Sequence, residues 1–494
     1  MEPGSHTVVS PGMVIARQDR IQVWSLPYLF VVVIGLGFLF TFFDIFDINV
    51  SFIQTCAQIV PHCVPGPPPG QTTLPAGAIL AADMLGLPVL MNLIGYVIGT
   101  LILSPLADRL GRRDMLLVTM VITGVGSLFT AFTNDYTTFI IGRTITGIGI
   151  GADLAIVNTY INEVAPREGR AKYTSLIFTM SALGAFLGIW VGLLLTTPPT
   201  PFPLGLPFAI NFVNGWRLMY VIGAALGLIG VLLRVQLPES PRWLISQGRI
   251  AEADAVVRRM EARAERMRPL PKVMDELPVP PREATRISYS EIFTNPLYLR
   301  RTILLFLVWF VGYVTVYSFA AGLTTILASL NYPPPEAGLI AAMGTIGFII
   351  CGLFAYAFGE GLERKFWLPI AAVLTLAGGV LIALAGKPTS PTATPIVAFI
   401  GAMIVFFGFN LWVPMTYTWS TENYPTRART TGFGLVDGVG HVGGGIGLLI
   451  IAPLLPQLGP LYSFLLIGGF LVVAAIIAQF GTTTRGKRLD VVSP

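Results

Sequence analysis

Residues 142–170 read G-R-T-I-T-G-I-G-I-G-A-D-L-A-I-V-N-T-Y-I-N-E-V-A-P-R-E-G-R. The first part is mostly apolar and long enough to cross a lipid bilayer as a helix, which takes about 20 residues. The last part is the polar motif E-x-x-P-x-x-x-R, which begins at Glu163. The same motif recurs 259 residues later, beginning at Glu422, again after an apolar stretch. The chain therefore contains an internal duplication.

The composition of the whole chain fits a membrane protein. It is 54% hydrophobic and only 12% charged, which is too little charge to cover the surface of a water-soluble protein of 494 residues. Only helices or closed barrels satisfy their backbone in lipid, and these apolar stretches are too long for barrel strands. We predict twelve spans, at 25–52, 83–106, 115–133, 137–160, 173–196, 216–236, 302–329, 338–358, 366–386, 395–417, 431–453 and 460–480.

A second repeated motif divides these spans into two halves. D-R-L-G-R-R at 108–113 has a weaker copy, E-G-L-E-R-K, at 360–365, an offset of 252 residues. The predicted fold is all-α, with two bundles of six transmembrane helices. Within the linker, Gln247–Arg268 is predicted as an amphipathic helix at the membrane surface. The predicted segments are an N-terminal tail (1–24), a first bundle (25–236), a linker (237–301), a second bundle (302–480) and a C-terminal tail (481–494).

The basic residues predict the orientation. If the N-terminus is cytoplasmic, the cytoplasmic loops and both tails contain 28 of the 31 Lys and Arg residues, as the positive-inside bias requires. Both termini are therefore predicted to be cytoplasmic, in a multi-pass protein of the cell membrane. The net charge of +5 reflects this topology, so no nucleic-acid partner is expected.

Two of the three cysteines lie in the first external loop. Cys56 and Cys63 are seven residues apart, and a disulfide between them would close this loop in an oxidising exterior. The alternative is a metal site that includes His62, but a fourth ligand is missing. Cys351, in span eight, is expected to be a packing residue, and no metal site is predicted.

The repeated charged motifs are predicted to form a cytoplasmic gate. Acidic and basic side chains at neighbouring helix ends can pair in one state and separate in another. The alternative is that the basic residues only determine topology. The predicted gate residues are Asp108, Arg109, Gly111, Arg112, Arg113, Glu163, Arg170, Glu422 and Arg429.

Taken together, these motifs resemble the major facilitator superfamily. The likeness extends over nearly the whole chain and includes G-R-x-x-x-G-x-G-x-G from Gly142 and P-E-S-P-R-W-L at 238–244. The second motif is similar to the sugar-porter and metabolite–proton-symporter branch. The resemblance implies two six-helix bundles around a central cavity, and solute movement driven by a solute or proton gradient. The sequence has no G-x-x-x-x-G-K-[ST] phosphate loop that would drive a pump by nucleotide hydrolysis. No cofactor is predicted. The protein is expected to act as a monomer.

Four charged residues within the spans are predicted to carry proton coupling. Asp44 and Asp47 lie three residues apart on one face of span one, and two neighbouring carboxylates in lipid do not both ionise readily. Arg143 is predicted at the same depth as Asp47 and would pair with it, as in proton-coupled sugar porters. Asp153 is the proposed relay, by resemblance to the phosphate–proton branch. The alternative is that these charges are permanent structural ion pairs.

The predicted substrate contacts come from both halves. They are Arg143, Tyr313, Tyr317, Asn410, Trp412 and His441. Aromatic rings can stack on a sugar face or on an aromatic acid. His441 replaces the lysine of the phosphate branch, and the paired glutamines of hexose carriers are absent from span seven. His441 is also four residues from Asp437, so the two can pair.

The sequence therefore predicts secondary active transport. We expect proton-coupled uptake of a small organic acid or other polar metabolite, and the alternative substrate is a sugar, with or without coupling. A solute sensor that no longer transports is a further alternative from another class. An enzyme is not expected, because no nucleophile–base pair or metal cluster is recognisable. The expected partners are a small-molecule substrate, protons and the lipid bilayer.

Overall fold

A computed structural model describes residues 10–66, 74–166, 169–273, 289–386, 393–425, 428–487 and 492–493, with the backbone alone at positions 170 and 430. Most of the described chain is helical. The two strands in these ranges, β1 (Cys63–Val64) and β2 (Ile79–Leu80), are only two residues long and pair in parallel. The prediction of an all-α protein is confirmed.

Six spans form the first half. Its first span is divided into two helices. The two form one continuous span, because the joining residue Asp47 keeps helical dihedral angles (φ −58°, ψ −36°). A short helix, α1 (Pro11–Asp19), precedes this span. The helices of the half are α2 (Tyr28–Phe46), α3 (Ile48–Ile59), α4 (Ala81–Leu110), α5 (Arg112–Ala131), α6 (Tyr136–Val164), α7 (Arg170–Thr196) and α8 (Gly215–Arg234).

The linker contains α9 (Pro241–Ser246), α10 (Ile250–Glu265) and α11 (Tyr289–Thr294). The second half follows with six more spans. Its last apolar stretch, Thr431–Ala478, has 48 residues, more than twice the length of one crossing, and Gly459 interrupts its helix at φ 72°. Two crossings therefore lie here, which makes twelve. The helices are α12 (Pro296–Ala320), α13 (Leu323–Ser329), α14 (Pro334–Phe358), α15 (Trp367–Ala385), α16 (Pro395–Leu411), α17 (Val413–Glu422), α18 (Arg429–Phe433), a π-helical segment (Gly434–Gly438), α19 (Val439–Ile451) and α20 (Leu455–Ala478).

Small residues allow the close packing of α4 against α6. A Cβ atom at Gly147 would lie 1.9 Å from the backbone oxygen of Asn92, and one at Gly151 would lie 2.2 Å from that of Tyr96. Only glycine leaves space for the two helices at this separation, as is common in membrane bundles. The glycine spacing of the 142–170 stretch therefore has a structural cause.

The amphipathic helix of the linker is covered by protein. Buried Ala253 and Val257 of α10 belong to the same apolar cluster as Val14 of α1. Arg17 of α1 also pairs with Asp254 at 2.6 Å. The apolar face of this amphipathic helix therefore packs on the N-terminal helix.

The two ends of the bundle differ in charge. One end, the basic side, comprises the 109–113 loop, α9, α10 and Arg364, which the sequence analysis assigned to the cytoplasm. The opposite end includes the first long loop, where Cys56 and Cys63 form a disulfide with a Cα–Cα distance of 5.8 Å. A bonded pair offers no thiolate, which removes the alternative of a metal site with His62.

Candidate functional site

A small cavity lies between the two halves. Helices α2, α6 and α7 of the first half and α12, α16, α17 and α19 of the second contribute to it. Apolar and aromatic side chains with a few polar groups are typical of small-molecule sites. The lining residues are Phe42, Ile45, Phe46, Leu154, Phe178, Tyr313, Val316, Tyr317, Ala320, Asn410, Val413, Tyr417 and His441.

Four of the predicted substrate contacts line this cavity. Tyr313 and Tyr317 come from α12, Asn410 from α16 and His441 from α19. The side-chain nitrogen of Asn410 donates to the backbone oxygen of Phe406 at 2.8 Å, which holds the amide in place. The structure thus brings together residues that are more than 120 positions apart in the sequence.

Trp412, also predicted as a substrate contact, does not line this cavity. Its ring packs against that of Trp309, with centroids 4.8 Å apart, and is not part of the cavity wall. Residues two positions apart in an α-helix point in directions that differ by about 200°. A helix that directs Asn410 inward therefore directs Trp412 away. The sequence analysis missed Tyr417, which does line the cavity. Its spacing of seven residues from Asn410 is the signal that could have identified it.

His441 lies between two tyrosine rings, with centroid distances of 3.8 Å to Tyr96 and 3.9 Å to Tyr313. Its Nδ1 atom is 2.7 Å from the backbone oxygen of Asp437. Because a carbonyl oxygen only accepts, Nδ1 carries the hydrogen, and a neutral ring then has an acceptor at Nε2. The Asp437 carboxylate is 3.7 Å from Nδ1, so the predicted pairing occurs through the backbone oxygen.

Arg143 binds Asp44 more closely than Asp47. One guanidinium nitrogen donates to Asp44 Oδ2 at 3.0 Å and the other to the backbone oxygen of Asp44 at 2.9 Å. Ser127 donates to the second carboxylate oxygen of Asp44 at 2.5 Å. The predicted Asp47–Arg143 pair is present, with 3.7 Å between the nearest atoms, and it belongs to a cluster in which Asp44 is the closer partner.

Asp47 is the less satisfied carboxylate of this cluster. Its Oδ1 atom lies 3.7 Å from Arg143, and the side chain is fully buried. In the described part of the chain, neither of its carboxylate oxygens has a hydrogen-bond partner. Asn49, two residues after Asp47, donates to the backbone oxygens of Phe319 and Ala320 in the second half.

The structure does not support Arg143 as a substrate contact. Its guanidinium donates to Asp44 and lies 5.4 Å from the Tyr220 ring centroid, and it is not part of the cavity wall. Arginine has no acceptor atoms, so any further hydrogen bond of Arg143 must be donated by its other N–H groups. The residue neutralises acids within the first half.

Asp153 forms a separate buried ion pair. It accepts from Arg234, at the end of α8, and from Thr119 of α5 at 2.9 Å. Both charged side chains are fully buried, and Asp153 is absent from the cavity wall. A Cβ atom at Gly37 would lie 1.7 Å from the Arg234 guanidinium, so this glycine makes room for it. The structure thus pairs the predicted relay residue with Arg234, a partner that sequence reasoning missed because it ends span six.

On the basic side of the first half, Arg112 joins two acids. It lies 2.9 Å from Asp108 and 3.2 Å from Glu163, and it is buried. Ser240 donates to the other carboxylate oxygen of Glu163 at 2.6 Å. The predicted gate motifs of this half therefore form one cluster.

Four other gate residues of the first half have different environments. Gly111 has φ 119°, and a Cβ atom there would lie 2.5 Å from Glu239, which accepts from the backbone N–H groups of Arg112 and Arg113 at 3.2 Å. Burial raises the pKa of Glu239. Arg109 is exposed. Arg170 lies outside the described side chains.

The second half repeats the same cluster. Arg364 lies 2.9 Å from Glu360 and 3.6 Å from Glu422, as Arg112 does with Asp108 and Glu163. Arg364 follows Arg112 by 252 residues, the offset of the repeat, and this is the signal that could have identified it. Arg429 is also buried, and its Nε donates to the backbone oxygen of Thr421 at 3.2 Å.

Contacts between the halves close the cavity on the basic side. The backbone N–H of Ala171 donates to Glu360 at 3.0 Å, and Thr431 donates to Asp108 at 2.9 Å. Each contact joins an acid of one repeated cluster to the other half. The acids of the predicted gate therefore make contacts across the interface, as well as within their own half.

The opposite side is also closed. The side-chain oxygen of Asn49 accepts from the hydroxyl of Thr324 at 2.5 Å. Trp190 of α7 donates to the backbone oxygen of Ala342 in α14 at 3.1 Å. The conformation is therefore occluded. Alternate opening of the two sides would give the cavity access to each face of the membrane in turn.

The sequence of this chain is similar to those of known transporters. The family described as "Sugar (and other) transporter" matches residues 30–492. The niacin transporter NiaP of Acinetobacter baylyi is 25% identical, over 96% of this chain and 98% of its own. The 4-hydroxybenzoate transporter PcaK of the same species is 28% identical, over 78% of this chain and 79% of its own.

The fold matches solved transporters. The proton:xylose symporter XylE of the major facilitator superfamily superposes with a TM-score of 0.70 and 21% identity, over 94% of this chain and 98% of that chain. This likeness confirms the twelve-helix fold of two bundles. The chain is a multi-pass integral membrane protein that transports small molecules and is not an enzyme, and it belongs to the sugar (and other) transporter family of the major facilitator superfamily.

Proposed function

We propose that this protein is a proton-coupled symporter of a small organic acid with an aromatic ring, which it transports by alternating access. The observation that carries the proposal is the cluster of two buried carboxylates, Asp44 and Asp47, around the single guanidinium of Arg143. We further propose that the basic side is cytoplasmic, as the distribution of Lys and Arg predicts.

The charge balance of this cluster supports proton binding. Two ionised carboxylates and one guanidinium leave one net negative charge in a buried site, which is costly. The Asp44 carboxylate is satisfied by Arg143 and Ser127, whereas the Asp47 carboxylate has no hydrogen-bond partner in the described chain. A proton on Asp47 would neutralise the cluster, and so we assign the coupling proton to Asp47.

The cavity wall supports an aromatic substrate. Phe46, Phe178, Tyr317 and Tyr417 give it flat apolar surfaces on which a ring can stack. A sugar has a hydroxyl on nearly every carbon and needs many hydrogen-bond partners, and this wall offers few polar side chains. PcaK transports 4-hydroxybenzoate and NiaP transports niacin, according to their names, and both compounds are ring carboxylic acids.

We assign the carboxyl group of the substrate to His441 and Asn410. These are the two polar side chains of the wall other than the tyrosines. Nε2 of a neutral His441 accepts from a protonated carboxyl group, and a charged ring donates to a carboxylate. Either arrangement places one proton between the ring and the substrate.

The repeated charge clusters would act as the gate. The contacts of Glu360 with Ala171 and of Asp108 with Thr431 hold the basic side closed in the occluded state. These contacts must break when that side opens, while the Arg112 and Arg364 clusters remain within their own halves. The two halves then rotate as rigid bodies around the cavity.

The test is uptake of labelled 4-hydroxybenzoate by purified protein in liposomes with an imposed proton gradient. Asp47→Asn is expected to abolish accumulation against a gradient and to spare exchange of labelled for unlabelled substrate, because only net transport must release the proton. Glu252→Gln, at an exposed carboxylate of α10, is the matched control and should accumulate normally. Wild-type accumulation by Asp47→Asn would refute the assignment of the proton site.

The same assay examines the sugar alternative, for which the family description and the XylE fold are the support. Labelled glucose and xylose replace 4-hydroxybenzoate. Sugar uptake that competes with the acid would replace the proposed substrate class. Acid uptake at an initial rate unchanged by collapse of the proton gradient would replace symport by facilitation.

A further inference from the structure

Asp437 is a buried acid to which the proposed function gives no role. It lies in the π-helical segment Gly434–Gly438, between α18 and α19, and its side chain is fully buried. Single π-helical turns within helices are rare and often occur at functional sites. The segment packs against α4 of the first half and α12 of the second.

Two tyrosines donate to the Asp437 carboxylate. The hydroxyl of Tyr96 lies 2.6 Å from Oδ2, and that of Tyr313 lies 2.5 Å from Oδ1. Tyr96 belongs to α4 and Tyr313 to α12, so one donor comes from each half. The Tyr96 bond therefore crosses the interface between the halves directly beside the cavity.

No arginine or lysine of the described chain pairs with this carboxylate. The two other acids with clear roles, Asp44 and Asp153, each contact a buried arginine at hydrogen-bond distance. For Asp437, the nearest basic atom is Nδ1 of His441 at 3.7 Å, and its hydrogen is donated to the backbone oxygen of Asp437. An ionised carboxylate here depends on the two hydroxyl groups alone.

The surrounding groups from all neighbouring elements are neutral or distant. Around Tyr96, α4 contributes Thr100, which lies against Gly438, and α12 contributes Tyr317 beyond Tyr313. From α17 comes Tyr417, whose ring packs on Phe433. Apart from Asp83 and Arg109, in the first and last turns of α4, the charges on α4, α6 and α18 have other partners, which are Arg112 for Asp108, Asp44 for Arg143, Arg234 for Asp153, Arg112 for Glu163 and the Thr421 backbone for Arg429.

We propose that Asp437 is a second proton-binding group and that its bond to Tyr96 couples its protonation to separation of the two halves. A hydroxyl bound to a carboxylate makes a charge-assisted bond, roughly twice as strong as the bond to a neutral acid. Protonation of Asp437 therefore weakens the contact of α4 with the π-helical segment. Asp437 is eight residues from Arg429, at the basic end of its helix, so the basic side opens more readily.

This inference rests on the proposed proton coupling, but it is independent of the substrate and of Asp47. The test therefore uses no substrate. Leu110→Cys and Phe366→Cys place one label on each half at the basic side, where these residues are 56% and 47% exposed. The native cysteines do not interfere, since two form a disulfide and Cys351 is buried. The distance between two nitroxide spin labels is measured by double electron–electron resonance in nanodiscs at about pH 8 and about pH 5.

The otherwise unaltered chain is expected to show a larger open fraction at the lower pH, and Asp437→Asn is expected to lose most of this change. The matched pair Tyr96→Phe and Tyr313→Phe each removes one hydroxyl from the same carboxylate. Only Tyr96→Phe should raise the ratio of open to closed molecules at about pH 8, by about tenfold to a hundredfold, because only its bond crosses the interface.

Three results would overturn the proposal. They are no pH response in the parent chain, a full response in Asp437→Asn, and equal ratios in the two tyrosine variants. If Asp437→Asn does not fold, the tyrosine pair still decides the question, since each variant keeps the carboxylate. Failure of 4-hydroxybenzoate transport would refute the proposed substrate and leave this measurement unaffected.

Discussion

The buried pair of Asp153 and Arg234 allows a decisive test of whether Asp153 relays protons or only stabilises the fold. Both side chains are fully buried, and Arg234 also donates to the backbone oxygen of Leu116 at 3.0 Å. Removal of one partner leaves the other charge buried without compensation. Replacement of both by apolar residues of similar size leaves no charge behind.

The expected magnitudes follow from this burial. Asp153→Leu or Arg234→Met alone should each destabilise the protein by about 3–5 kcal/mol, as for other buried pairs that lose one member. The double variant should be nearly as stable as the parent protein, or more stable by roughly 1–4 kcal/mol. The two changes are therefore strongly non-additive.

Apparent melting temperatures of the purified variants in one detergent provide the comparison, with uptake into liposomes as the second readout. The double variant should melt above both single variants and should keep proton-driven uptake. Additive losses of stability would refute the ion-pair account. A stable double variant that exchanges substrate but no longer accumulates it would show that Asp153 does relay protons.

Three further predictions concern packing, the external loop and the N-terminal helix. Gly147→Ala should lower the free energy of unfolding by about 1–3 kcal/mol or more, because its Cβ would lie 1.9 Å from a backbone oxygen. The control is Gly124→Ala, whose Cβ would lie 3.6 Å from the nearest atom. It should change the free energy of unfolding by less than about 1 kcal/mol. Replacement of Cys56 and Cys63 by serine should cost about 2–3 kcal/mol in the same melting assay, since the bond closes a short loop, and should leave transport intact. Arg17→Ala should increase proteolytic cleavage of the N-terminal tail about tenfold, because it loses its bonds to two acids of α10.

Each of these predictions has a contradicting outcome. Equal melting temperatures for the two glycine variants would refute the close approach of α4 and α6. A disulfide-free protein as stable as its parent would show that the loop is held by other contacts. Unchanged cleavage of Arg17→Ala would mean that the apolar contacts of Val14 alone hold α1 in place.

The fold could be predicted from the sequence because the signals were local or repeated. Twenty-residue apolar stretches have one stable arrangement in lipid, and the motif beginning at Glu163 recurs with the same spacing at Glu422. Arg364 stands where the offset places a second Arg112, and it does join the equivalent acids.

The site was predicted less completely because its details depend on helix rotation and depth. Trp412 and Tyr417 are both aromatic residues near Asn410, and only the angle around the helix decides which one lines the cavity. Similarly, the partner of Arg143 depends on a depth difference of one helical turn between Asp44 and Asp47. Composition contains no information on such differences, and residue spacing gives an angle only relative to a residue whose orientation is already known, as for Tyr417 relative to Asn410.

The most direct test of the central claim is the movement of protons with the substrate. Purified protein is reconstituted into liposomes that contain a pH-sensitive dye, without an imposed gradient, and 4-hydroxybenzoate is added outside. The account predicts acidification of the interior that depends on the protein and is absent in Asp47→Asn. Substrate entry with no change of internal pH would contradict it.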